Sequence, residues 1–266
     1  MRNKFADTFY ELGKADARLC VVVADISPAG SIARFRAEFP RRFINTGVSE
    51  QIMIGMAAGM AQRGLRPFAY TIATFTLYRP FEMVRDDLCY QNLPVTIVGI
   101  GGGVTYSTLG ATHHAQEDVA IASTIPNMSV IAPCDPAETE AATRWCVSQQ
   151  VGPVYLRLGK AGEPDFTSKA QQAWEFGKVR QLRTGGDVAI LSYGPIMKRA
   201  MAETEPLSSI NLPNTAPRRK IGKNCATNCA ALPIKVCVQV ARSGSRATVA
   251  ATSAAAGASR STLPPR

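Results

Sequence analysis

Residues 45–64 read NTGVSEQIMIGMAAGMAQRG. The Asn-Thr-Gly turn leads into a helical stretch, 49–63, and Gly64 closes it as the residue beyond the C-cap. Ser49 stands at the N-cap position and Glu50 in the first turn, where the positive end of the helix dipole favours a carboxylate. A simple cap would account for the serine and tolerate the glutamate. It would not account for the helix behind them. Gly55, Ala57, Ala58, Gly59 and Ala61 are small enough to let another backbone or chain approach, and Met53, Met56 and Met60 pack adaptably. A helix that is apolar all round is expected to be buried, so its first-turn acid faces an interior or an interface. Burial favours the neutral form of an acid and a helix N-terminus favours the anion. A group held between these influences suits sharing a proton with a buried base.

Working outward, short apolar runs alternate with helical patterns. LCVVVADI (19–26) reads as a buried strand, SIARFRAEF (31–39) as a short helix, and RFINTG (42–47) as a brief strand. RPFAYTIA (66–73) is a strand, followed by a helix over 75–91 and the strand LPVTIVGIGG (93–102). A Gly/Thr/Ser-rich loop through 112 precedes a helix of roughly 115–124, the strand MSVIAP, a helix over 135–149 and the strand GPVYLRLG. This βαβα order calls for an α/β fold, a mostly parallel sheet with helices on both faces.

Residues 161–172 read as a linker. GDVAILSYG (186–194) and the helical PIMKRAMAE then open a second α/β domain that does not continue. The domains expected are 1–165, then 166–203 as linker and start of the second domain, then 204–266 as a basic irregular tail. Residues 204–266 hold nine Lys/Arg and one acid, so +8 of the net charge of +10 sits there, and all 19 aromatic residues lie before them. Aromatics, acids and periodicity end together, as at a reading-frame change or an unrelated fusion. Basic text with no stacking groups argues against nucleic-acid binding. No apolar run is long enough to span a bilayer, and the acidic, polar N-terminus is not a signal peptide. Seven scattered cysteines point to reduced cytosol, hence a cytoplasmic protein.

Three further constellations carry chemistry. Phe75, Tyr78 and Phe81 recur at i, i+3, i+6, the spacing of a packed aromatic stripe. Gly110-Ala111-Thr112-His113-His114-Ala115-Gln116-Glu117-Asp118 holds the only two histidines of the chain. Adjacent histidines seldom point at one ion and no cysteine lies nearby, so no metal ligands are assigned. Arg157 ends the strand YLRLG, as a surface residue or an anion ligand. GIGGGV has Val104 where a dinucleotide loop needs its third glycine, so that reading is rejected.

RRFINTGVSEQIMIGMAAGMAQRGLRPFAYTIATF, LGATHHAQED, IPNMSVIAPCDPAET and GPVYLRLGK together resemble the pyrimidine-binding domain of transketolase and 1-deoxyxylulose-5-phosphate synthase. The resemblance covers roughly 1–203 and implies the thiamine-diphosphate-binding fold. It makes Glu50 the acid that hydrogen-bonds N1′ of the cofactor's aminopyrimidine and so favours loss of the thiazolium C2 proton. It makes Phe75, with Tyr78 and Phe81, the wall against which the pyrimidine stacks, and places Asp25 near the cofactor. It makes His113 a catalytic histidine near the substrate's oxygen, with His114 facing the same pocket, and Arg157 a phosphate-binding arginine. Leu109, Gly101 and Ala29 depart from the family pattern, replacing an aspartate, a histidine and a serine, which tells against a standard sugar-phosphate substrate.

The diphosphate and its Mg²⁺ bind, in that family, to a separate domain with a Gly-Asp-Gly…Asn signature, which this sequence lacks. The resemblance therefore implies the C-terminal subunit of a split enzyme that transfers a two-carbon ketol unit. Its partner would be an N-terminal subunit carrying most of the thiamine diphosphate and Mg²⁺ site, in a hetero-tetramer or dimer of heterodimers. A small sugar or keto compound is the substrate expected. Two alternatives stay open: a β subunit of a 2-oxoacid dehydrogenase-type decarboxylase, and a truncated or frameshifted product without activity.

Overall fold

A computed structural model describes residues 1–26, 30–148, 152–183 and 190–207. Six strands, β1 (Leu19–Val23), β2 (Phe43–Asn45), β3 (Arg66–Ile72), β4 (Thr96–Ile100), β5 (Ser129–Ile131) and β6 (Val154–Leu158), form one sheet in the order β2-β1-β3-β4-β6-β5. Every pairing is parallel. Side-chain alternation feeds two cores. Val21, Val23, Phe68, Tyr70, Val98, Ile100, Leu156 and Leu158 face one side, where α1 (Arg2–Ala15), α2 (Ser31–Glu38) and α7 (Pro136–Ser148) pack. Val22, Ala69, Ile97, Val130 and Tyr155 face the other, against α3 (Glu50–Gln62), α6 (Asp118–Thr124) and the segment after β3. Strands covered on both faces have no polar side to reveal, which is why they read as unbroken apolar runs.

The helix α1 has no counterpart in the expected order. Phe5 and Phe9 are fully buried at an i, i+4 spacing, but Asp7 and Thr8 between them, with charged residues on either side, break up the apolar run. The helix expected over 75–91 is not continuous. α4 (Ala73–Leu77) ends before Pro80, α5 (Phe81–Met83) resumes after it, and Val84–Tyr90 winds as a π-helix. Proline cannot donate the amide that a continuous helix needs there. The helix expected from 115 begins at Asp118. Before it, the loop after β4 forms two 3-10 turns, Ser107–Leu109 and Ala111–His113, and a bridge joins Gly103 to Ala115.

The helix α3 matches its reading closely but not its expected burial. Ser49 is the N-cap residue, although its hydroxyl makes no cap bond. At the other end the Gly64 amide bonds to Ala61 O and the Leu65 amide to Met60 O, with Gly64 at φ +86°. This Schellman closure needs a residue that accepts a left-handed backbone. Met53, Ile54, Ala57, Ala58 and Ala61 are buried. The opposite face is open: Val48, Ile52 and Met56 are exposed, and nothing lies within 4 Å of a Cβ built on Gly55 or Gly59. The apolar perimeter therefore reflects a helix covered by its own chain on one side only.

Residues 161–172, expected as a linker, are fastened to the sheet domain. Asp135, the residue before α7, accepts the Phe166 and Thr167 amides at 2.8 and 2.7 Å and the Thr167 hydroxyl at 2.9 Å. Further along, Arg180 pairs with buried Glu138 of α7, and Phe176 stacks on Trp145 with ring centroids 3.9 Å apart. The strand expected over 186–194 falls partly outside the described residues, and 190–193 are not a strand. A 3-10 turn, Gly194–Ile196, leads into α8 (Met197–Leu207), which carries helix past position 204. Ala29 and the tail beyond 207 lie outside the described residues.

Candidate functional site

From β1 the chain moves outward to β2, then returns past β1 to β3 and continues the other way to β4. The crevice at the C-terminal ends of β1 and β3 is the point where this order reverses, and open α/β sheets bind ligands there. Asp25 follows β1, Glu50 opens the helix after β2, Phe75 lies just beyond β3, and His113 lies in the loop after β4. One edge of the sheet thus gathers residues spread over nearly ninety positions.

Glu50 is 2% exposed. Its carboxylate accepts from one nitrogen, Arg79 Nη1, at 2.8 Å to Oε1 and 3.0 Å to Oε2. The Arg79 guanidinium lies 4.1 Å from the centroid of the Phe75 ring. That ring meets His113 edge-on, with centroids 5.1 Å apart at 73°. His113 Nδ1 is 3.0 Å from the Thr112 hydroxyl, and Tyr106 stands edge-on to the same imidazole at 6.4 Å. The sequence residues Glu50, Phe75 and His113 are therefore joined, through an arginine that belongs to none of the motifs. The one local sign of Arg79 is its place four residues after Phe75, in the turn that follows α4.

Tyr78 does not sit in that chain of contacts. Its hydroxyl donates to Glu117 Oε2 at 3.0 Å and accepts the Glu117 amide at 3.1 Å, tying the α4 turn to the start of α6. Burial, then the bond to Glu117, push the phenol above its ordinary range. Phe81, beyond Pro80, is exposed. Asp25 is exposed at φ +45°, and its amide donates to Asn45 Oδ1, which also accepts the Gly47 amide. That side chain fixes the turn leading to Glu50.

Arg157 points inward, as its two-residue spacing from buried Tyr155 requires. Its Nε donates to Asp118 Oδ2 at 2.7 Å, and the Tyr155 hydroxyl donates to the same oxygen at 2.8 Å. Burial disfavours the Arg157 charge, but Asp118 outweighs it and the pKa rises; burial and then Asp118 drive the Tyr155 phenol well above its usual range. Another exposed cation here, besides Arg79, is Lys160, whose Nζ lies 5.1 Å from the Tyr106 ring centroid. Three buried polar atoms nearby in sequence have no hydrogen-bond partner: Thr74 Oγ1, His114 Nε2 and Asp118 Oδ1. Among the described residues, no three His, Cys, Asp or Glu side chains gather as metal ligands, and no helix is long and apolar enough to cross a membrane. Cys20, Cys89 and Cys146 are free and buried, and burial pushes each thiol up to about 12.

Gly101 shows why one family residue is absent. Its φ is +74°, and a Cβ built there would lie 2.2 Å from Tyr106 Cε2. The Tyr106 ring fills the space a side chain would take. Restoring the family's histidine as Gly101→His is expected to lower stability by at least about 2 kcal/mol, through left-handed strain plus overpacking. Melting curves read this; an unchanged midpoint would mean that Tyr106 moves aside freely.

Comparison with known proteins agrees with this geometry. The family described as transketolase, pyrimidine binding domain, matches residues 1–162. The chain is 39% identical over 208 residues to a protein of Methanocaldococcus jannaschii described as a transketolase C-terminal section, covering 78% of this chain and 66% of that protein. It is 36% identical over 208 residues to 6-deoxy-6-sulfo-D-fructose transketolase subunit SqwH of a Clostridium species, covering 78% and 64%. The chain thus spans just under two thirds of the length of these relatives. A solved split gene transketolase, described as an inactive beta4 tetramer, superposes with a TM-score of 0.70 at 36% identity, covering 78% of this chain and 66% of that one. With the parallel sheet, the acid at the mouth of α3 and the match across residues 1–162 in agreement, the chain belongs to the family of transketolase pyrimidine-binding domains.

Proposed function

We propose that this chain is the C-terminal, pyrimidine-binding subunit of a split transketolase-like enzyme that transfers a two-carbon ketol unit with thiamine diphosphate. The observation that carries this is the Glu50 carboxylate, buried at the reversal point of the sheet and linked through Arg79 to the Phe75 ring. An aminopyrimidine needs a proton-sharing acid at its ring nitrogen and an apolar face to stack on, and these residues offer both. A single arginine nitrogen leaves further lone-pair positions free on each carboxylate oxygen. When bound, thiamine diphosphate supplies a thiazolium carbon that adds to a carbonyl.

The chain's own residues do the rest. Glu50 holds or releases a proton at the ring nitrogen. Phe75 walls the ring; Tyr78 braces the same segment through its bonds to Glu117, and Phe81 stays at the exposed margin beyond Pro80. His113, held between Phe75, Tyr106 and Thr112, moves a proton at the substrate oxygen. His114, with its buried unpaired Nε2, stands next to His113 and would take part in binding substrate, and Asp25, exposed just after β1, would lie near the cofactor. Arg157 organises the loop through Asp118, while Lys160, exposed beside Tyr106, can meet an anionic substrate end. The open apolar face of α3 supports docking against a second chain, which brings the diphosphate and Mg²⁺ site.

The test is reconstitution. The chain, a separately produced chain with a Gly-Asp-Gly…Asn domain, Mg²⁺ and thiamine diphosphate are mixed in D₂O, and loss of the thiazolium C2 proton is followed by NMR. Exchange well above that of free cofactor is expected only with both chains present. No acceleration in the mixture would refute the proposal.

A further inference from the structure

From the contacts around the acid we infer that Arg79 is a positioning residue: it holds the Glu50 carboxylate in a fixed plane and locks that acid to the aromatic wall before any cofactor arrives. The inference rests on the thiamine reading above and adds a residue to it.

Glu50 and Phe75 belong to different elements, the start of α3 and the short α4. Their relative placement would otherwise depend on how two helices pack, and a catalytic pair needs finer control than that. Arg79 supplies it from one side chain. Its Nη1 reaches both carboxylate oxygens, so the carboxylate cannot rotate without losing one contact. Its guanidinium carbon lies 4.1 Å from the centroid of the Phe75 ring, four residues earlier, and this cation–π contact opposes swinging the cation away. Pro80 follows immediately and stiffens the backbone there.

The two partners are unequally buried, with side chains 3% exposed for Glu50 and 43% for Arg79. For a surface ion pair this asymmetry would mean little. Here the buried member depends on the other: Arg79 donates the only side-chain hydrogen bonds described for the Glu50 carboxylate. Lysine could supply the charge and one bridging nitrogen, but not a guanidinium over the Phe75 ring.

The test uses the full chain first alone and then in the reconstituted complex. In the chain alone, Arg79→Ala is expected to lower the melting temperature, and that loss should largely vanish in a Glu50→Gln background. Additive losses would mean the two residues are not coupled, and would overturn the inference without reference to any cofactor. In the complex at saturating thiamine diphosphate, Arg79→Ala should slow C2 exchange on the order of 10²-fold, the scale of a misplaced catalytic group. Arg79→Lys should recover part of that loss, and cofactor affinity should change far less than the rate.

A merely structural role would lower the melting temperature and leave saturated exchange intact, which refutes positioning. Tighter cofactor binding in Arg79→Ala would instead mean that the guanidinium occupies the pyrimidine's place, and refutes it equally. If the wild-type complex shows no exchange, the thiamine reading fails and the positioning role with it. If wild type exchanges and Arg79→Ala exchanges as fast, only the inference about Arg79 fails.

Discussion

Glu50→Gln is expected to slow thiazolium C2 exchange in the reconstituted complex by about 10²–10⁴-fold, the range of a positioned acid–base group. Glutamine keeps the shape and one acceptor oxygen but cannot carry the proton. Nothing else described at the sheet edge can replace it: His113 stands beyond the Phe75 ring, and Glu117 is bonded to Tyr78. The substitution also removes the ion pair with Arg79, yet that partner is 43% exposed, so the stability lost is about 1 kcal/mol or less. The chain should therefore fold, bind its partner and fail at the proton step. Exchange within a few-fold of wild type would remove Glu50 from the mechanism.

The largest stability effect expected lies away from the site, at Asp135. This side chain is fully buried and accepts four hydrogen bonds: from the Glu138 amide at 2.8 Å, the Phe166 and Thr167 amides, and the Thr167 hydroxyl. The first is an N-cap bond to the third residue of α7, with Pro136 at the first helical position. Glu138 reciprocates by accepting the Cys134 amide at 2.9 Å. Asp135→Ala strands several buried donors at once and removes the cap. A loss of about 3–5 kcal/mol is expected, since each stranded donor costs about 1–3 kcal/mol before relaxation. That is roughly a 6–20 °C fall in melting temperature at this size. Asp135→Asn retains one acceptor oxygen and should lose less. As a control, Glu175→Ala removes an exposed pair with Lys178 and should change little. A melting temperature for Asp135→Ala within a degree of wild type would show that residues 166–167 are not anchored by this side chain.

The six strands were legible because a parallel sheet buried on both faces needs unbroken β-branched and apolar runs, as in LCVVV and TIVGI. The limits of α3 were legible because Ser49 and Gly64 are local signals that act within one turn. The helix after β3 was misread as one piece because its aromatic spacing spoke louder than Pro80. α1 is hard to read because its buried face, Phe5, Ala6, Thr8, Phe9, Tyr10 and Gly13, mixes large apolar residues with small and polar ones, interrupted by charged positions. The stretch 161–172 read as a linker because its composition is polar, whereas its anchors, Asp135 and Glu138, sit on another element.

The site divides along the same line. Glu50, Phe75 and His113 are named as candidates by the family resemblance, because its motifs are short and contiguous; that they are linked through Arg79 is legible only in the fold. Arg157 was also named, and its neighbourhood is an inward ion pair with Asp118 rather than an open cation. Arg79, Tyr106 and Lys160 were not named, although each touches a side chain in or beside that constellation. By itself, the sequence determined the strand order along the chain, the start and end of the helix behind Glu50, and the family to which these motifs belong. Local backbone preference and burial pattern are written within a few residues, so they survive without a partner. Only the tertiary structure decided which edge of the sheet gathers these residues, that Arg79 spans 29 positions to meet Glu50, and that Gly101 yields its space to Tyr106. Those outcomes depend on distances between elements, which no local signal encodes.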